Sequence, residues 1–67
     1  MKINLKLIQK GTLLIGETKG MIVEFIKPTY VGVEDVFTGK VINGVDEDFE
    51  IGEIFHSFNI RGFKLLT

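Results

Sequence analysis

Residues 12–28 read TLLIGETKGMIVEFIKP: an apolar run at Leu13-Leu14-Ile15, the glycine-bounded segment Gly16-Glu17-Thr18-Lys19-Gly20, and a second run from Met21 to Ile26 stopped by Pro28. Short β-branched and aromatic runs closed by glycine or proline are the punctuation of strands. The spacing predicts one strand over 12–16, a tight connection over 16–20 and another strand over 21–27, together a hairpin. The later strand is apolar on both faces, with Met21, Val23 and Phe25 on one and Ile22 and Ile26 flanking Glu24 on the other. Such a strand belongs in the middle of a sheet or against a partner. Pro28 has no amide donor and ends the ladder.

The same punctuation continues outward from this hairpin. Toward the N-terminus, Ile3, Leu5 and Leu7 alternate with Lys2, Asn4 and Lys6, which predicts a strand over 2–8 closed by Lys10-Gly11. Toward the C-terminus two turn signals compete, Thr38-Gly39 and Asn43-Gly44. The second is a preferred hairpin pair, so Gly39 is read as a bulge or bend in a long strand over 31–42. That turn sets a register of Ile42 opposite Val45, Lys40 opposite Glu47, Thr38 opposite Phe49 and Val36 opposite Ile51. The reverse face then carries Asp35, Phe37, Val41, Asp46, Asp48 and Glu50. Beyond Gly52, the spacing of Ile54, Phe55 and Phe58 predicts one helical or 3₁₀ turn within 53–58, and a last strand over 63–66 follows Arg61-Gly62.

Five to six short, bent strands with one short helical turn near the C-terminus predict an all-β fold, a small SH3-like barrel or roll, with an OB-like barrel as second choice. The glycines at 11, 20 and 39 among β-branched residues give the chain a loose resemblance to small SH3-like barrels, and no functional residue is carried over from it. No linker or repeat divides residues 1–67, which are expected to form one domain. The chain contains no alanine, which speaks against a helix-rich fold. A domain of this size buries only about 60% of the surface that its unfolded chain exposes. With no cysteine and a single histidine, neither disulfides nor a four-ligand zinc site is expected to reinforce it. Dense packing or self-association remains, and the 45% hydrophobic content favours a homo-oligomer.

Composition also restricts the function. The formal net charge of −1 gives no bulk attraction to nucleic acid. The alternating N-terminus is not a signal peptide, and no apolar run approaches the ~20 residues of a spanning helix, so a soluble cytoplasmic protein is expected. Richness in isoleucine and lysine suits an accessory protein from an AT-rich bacterial or phage genome.

No catalytic constellation is written into the chain. His56 and Ser57 are adjacent, so their side chains cannot meet on a strand or on a helix, and His56 is read as a structural residue or one at a surface contact. The acidic stretch from Asp46 fails as a calcium loop, because its sixth position is Ile51 and its twelfth is Ser57. Thr38-Gly39-Lys40 lacks the upstream glycine of a phosphate loop. No cofactor, metal site or enzymatic activity is therefore expected.

The leading expectation is a small non-enzymatic protein-binding factor. Phe37 and Val41 would form an apolar anchor ringed by Asp35, Asp46, Asp48 and Glu50, facing a basic protein partner as an inhibitor or accessory factor does. A homo-oligomeric structural component is the first alternative, using strand 21–27 and the apolar tail as contacts. A single-stranded nucleic-acid module is the second, with Lys2, Lys6, Arg61 and Lys64 on phosphates and Tyr30 and Phe63 as stacking platforms.

Overall fold

The hairpin forms where its glycines place it. In the computed structural model, which describes residues 4–44 and 48–66, strand β1 covers Leu13–Gly16 and β2 covers Ile22–Pro28. They pair antiparallel with Leu14 opposite Val23, and the Gly16 amide donates to the Met21 carbonyl at 2.8 Å to close the connection. Leu14, Val23 and Phe25 point to one side and are buried. Pro28 is the last residue of its strand, as its missing donor requires.

Three further strands complete one antiparallel sheet: β3 over Val36–Asn43, β4 over Ile54–Asn59 and β5 over Phe63–Leu65, in the order β4-β3-β2-β1-β5. The all-β expectation holds, and β2 sits at the centre. The ladder does not close into a barrel, since β4 and β5 are the two ends of the order. Their side chains meet nonetheless, with the rings of Phe58 on β4 and Phe63 on β5 5.5 Å apart, edge to face. The sheet is thus curled around a core of Leu5, Leu14, Met21, Val23, Phe25, Phe37, Val41, Phe58 and Ile60.

Gly39 is the bend that makes this curl. The register breaks beside it on both sides: between Phe25 and Lys27 against β2, and between Phe37 and Gly39 against β4. A Cβ at this position would lie 3.0 Å from Cε2 of Phe37, 3.2 Å from the Glu24 carbonyl oxygen and 3.3 Å from Cδ2 of Phe58. Only hydrogen lets the rings close over the backbone there.

Three expectations need correction. The segment expected as a first strand contains a 3₁₀ turn, Leu5–Leu7, because the Asn4 side chain accepts from the Lys6 amide at 2.9 Å and offers the backbone a local alternative to a ladder. Lys2 and Ile3 lie outside the described residues. Asn43-Gly44 does not make a two-residue hairpin turn. The return strand begins ten residues after Gly44, at Ile54, and the Val41 amide donates to the Glu53 carbonyl at 2.8 Å while the Gly52 amide donates back to Val41 at 2.7 Å. Gly44 instead serves a close approach: φ is 148°, and a Cβ would stand 2.9 Å from Cα of Met21. Val36 consequently faces Asn59 and not Ile51, while Val45 and Glu47 lie outside the described residues. Finally, 54–59 is strand, and the helical turn comes one element later, over Ile60–Gly62, where the Asn59 side chain accepts from the Arg61 amide at 2.9 Å.

Candidate binding groove

The change of register inverts the face of β3. Phe37 and Val41, expected as an exposed anchor, are 0% and 2% exposed and belong to the core. A strand's side chains alternate, so pairing β3 with 54–59 in place of 45–51 sends the odd-numbered residues inward. Of the acids expected around them, Asp48 and Glu50 are exposed, Asp35 is half-buried, and Asp46 lies outside the described residues. The Asp35 carbonyl accepts from the Ile60 amide at 2.8 Å, and the Glu50 amide donates to Oε1 of Glu53 at 3.1 Å. An acidic surface without its apolar anchor remains.

The cationic set is divided as well. Lys6 and Tyr30 line one groove; Arg61 is exposed on the 60–62 turn; Lys64 stands on β5 opposite Ile15; Lys2 lies outside the described residues. Phe63 is no stacking platform, because its ring packs edge-on against Phe37 at 5.4 Å and against Phe58 at 5.5 Å.

That groove is a concave surface at one end of β2. It encloses about 410 Å³ and is lined by the Asn4-Leu5-Lys6 turn, the end of β2 at Lys27-Pro28 and the loop from Thr29 to Glu34. Its lip is apolar and open: Tyr30 is 56% exposed, and Val31 at the loop apex is fully exposed. The seven aromatic residues sort cleanly around it. All six phenylalanines join one continuous network of ring contacts, through Phe25–Phe37, Phe37–Phe58, Phe37–Phe63, Phe49–Phe55 and Phe49–Phe58 among others. Tyr30 alone stands outside that network, at the groove. Lys27, Pro28, Val31 and Val33 went unrecognised in the sequence because the valines read as the start of a strand; Gly32 between them, at φ 82°, is the local signal for a loop.

The base of the loop is fixed by a hydroxyl clasp. Thr38 is the one buried polar residue among those described, and its Oγ1 lies 2.9 Å from Thr29 Oγ1 and 3.3 Å from His56 Nδ1. The Thr29 hydroxyl donates to the His56 carbonyl at 2.7 Å. Three contacts need three protons, and the two hydroxyls supply only two. The Thr29 proton goes to the carbonyl, the Thr38 proton to Thr29, and the third comes from His56, whose Nδ1–H donates to Thr38. The lone imidazole thus ties β4 and β3 to the first residue of the groove loop, and Ser57 beside it is exposed. The loop itself is held by the Thr29 amide donating to Val36 at 3.3 Å and the Val33 amide donating to Tyr30 at 3.4 Å.

Among the described residues no helix is long and apolar enough to cross a membrane. No protein-family model matches the chain, and neither the curated proteins nor the solved structures include one with significant similarity to it.

Proposed function

We propose that the chain is a small non-enzymatic binding protein, built as an SH3-like roll left open along one seam, which takes a segment of a partner protein into the groove beside Tyr30. The order β5-β1-β2-β3-β4, with a 3₁₀ turn joining the last two strands in sequence, supports the SH3-like reading. The observation that carries the function is the lip of the groove. In a domain short of interior, an aromatic ring and a fully solvated valine are kept outside, on a loop whose base is tied by side-chain hydrogen bonds to the buried Thr38 and to the His56 carbonyl. An apolar centre rimmed by polar groups, here Lys6, Lys27 and Glu34, is the anatomy of a contact surface.

A photo-crosslinking side chain placed at Val31 tests this directly, with Glu17 on the hairpin turn as control. A discrete adduct from position 31, absent from position 17 and lost in Tyr30→Ala, is expected. Equal adducts from both positions would remove the groove from the function.

Lys6 and Lys27 beside Tyr30 support a second reading, single-stranded nucleic acid. The aliphatic lining and Glu34 oppose it, since stacking needs several rings and phosphates avoid carboxylates. Titration of a labelled oligonucleotide at low salt decides the matter, with steep weakening on added salt required for acceptance.

A further inference from the structure

The outer face of the sheet carries a pattern that the roll itself does not use. Directly opposed residues of neighbouring strands share a face, and the registers link Leu13 on β1 with Glu24 on β2, Glu24 with Lys40 on β3, and Lys40 with Ile54 on β4. The four form one row across the sheet. Their chain neighbours Leu14, Val23, Phe25 and Val41 fill the core, so the row points away from it. Leu13 is 39% exposed and Ile54 52%, and Lys40 is exposed between them. Ile15 and Ile22 face each other one step along, half-buried.

The row reads apolar, acidic, basic, apolar. Reversed end for end it keeps its apolar ends and exchanges its charges, which is the condition for a surface to complement itself about a two-fold axis. An axis lying in the contact plane, parallel to the strands and midway between β2 and β3, maps each strand position onto its mirror position in the row. We propose that two copies of this chain pack outer face to outer face about that axis, with Glu24 over the partner's Lys40, Lys40 over the partner's Glu24, and Leu13 over the partner's Ile54. A row with both central charges of one sign would repel its own copy, and a charge at either apolar end would be desolvated against an apolar side chain. The row spans three strand spacings, about 14 Å, on a sheet that curves away at both ends. The contact is therefore small and belongs to the weak class, with dimers accumulating in the micromolar range or above.

Charge-swapped partners test the pairing. Sedimentation of the wild-type chain across a concentration series is expected to show a reversible monomer–dimer equilibrium. Glu24→Lys makes both central positions basic and Lys40→Glu makes both acidic, so each variant alone should be monomeric at concentrations where the wild type dimerises. Mixed in equal amounts, the two should form a one-to-one heterodimer, visible by native mass spectrometry, with affinity restored at least about tenfold over either variant alone. Circular dichroism verifies that both variants are folded. If either is not, amide shifts of the wild-type chain on dilution give the same answer, with movement expected around residues 13, 24, 40 and 54 and none at the 29–34 loop. A wild-type chain that stays monomeric, singly charged-reversed variants that still dimerise, or a mixture that fails to associate would each overturn the proposal. All four residues lie outside the groove, so any of these results leaves the groove reading intact.

Discussion

Phe37→Ala separates a core ring from a docking ring more sharply than any other change in this chain. Phe37 is fully buried, and its ring meets Phe25 at 5.6 Å, Phe58 at 5.4 Å and Phe63 at 5.4 Å. Those neighbours sit on β2, β4 and β5, so no single element can move inward to fill the space left by the ring. Truncation of a buried Phe costs roughly 3–5 kcal/mol, and the upper part of that range applies where the site cannot collapse. Each lost ring pair adds to it in the same direction. A domain of this size has a total stability of roughly 3–10 kcal/mol at typical values per residue, so the substitution removes about half or more. Urea unfolding followed by far-ultraviolet circular dichroism measures it, with the transition midpoint lowered at unchanged slope. Phe37→Leu, expected to cost roughly 1–3 kcal/mol, keeps the measurement possible if the alanine variant is unfolded in water. An exposed anchor predicts less than about 0.5 kcal/mol for either change. A leucine variant with the wild-type midpoint would refute the inward placement of β3's odd-numbered face.

Gly39→Ala should destabilise by roughly 1–3 kcal/mol through crowding of Phe37, Phe58 and the Glu24 carbonyl, lowering the thermal midpoint by at least about 4 °C. Thr38→Val leaves Thr29 and His56 without their shared partner and is expected to cost about 1–3 kcal/mol in the same assay, with the amide resonances of 29–34 shifting most. Nitrogen-15 shifts of the imidazole should show neutral His56 protonated at Nδ1, since the clasp lacks a proton otherwise; an Nε2–H tautomer would contradict the proton count. Val31→Asp should leave stability within about 0.5 kcal/mol of wild type while abolishing the crosslink expected from a neighbouring groove position.

The elements legible from sequence are those whose ends are fixed by local chemistry. Gly16 to Gly20 can only turn, Pro28 can only end a ladder, and the apolar runs beside them are short and rich in β-branched and aromatic residues, so β1, β2 and their hairpin follow directly. Gly39 as a bend and the last strand after Gly62 are of the same kind. What misled the reading was a local preference overridden by tertiary structure. Asn43-Gly44 has the composition of a two-residue turn, yet the space at Gly44 is needed by Met21, and the pairing strand lies farther along. Because side chains alternate, that one turn decided which side of β3 faced water, and the expected acidic and aromatic site fell with it. The 2–8 and 53–58 segments failed for a related reason. The 3₁₀ turns are placed by asparagine caps, Asn4 inside the first segment and Asn59 just past the second, and capping asparagines leave no trace in hydrophobic periodicity.

The ring network also explains how a chain of 67 residues without cysteine holds a sheet that is not closed by hydrogen bonds. Phe58 is the hub, touching Phe37, Phe49, Phe55 and Phe63, and so ties β3 and the 48–50 segment to the two edge strands, which meet each other through side chains and not through a ladder. Closure by rings frees the outer face and the loop ends from any structural duty in the seam. Substitutions at the hub should therefore weaken the groove and the outer face together, because both are carried by the same curled sheet. Substitutions at Val31 or at Lys40 should each affect one surface and leave the other unchanged, since the first lies on a loop apex and the second on the far side of the strands.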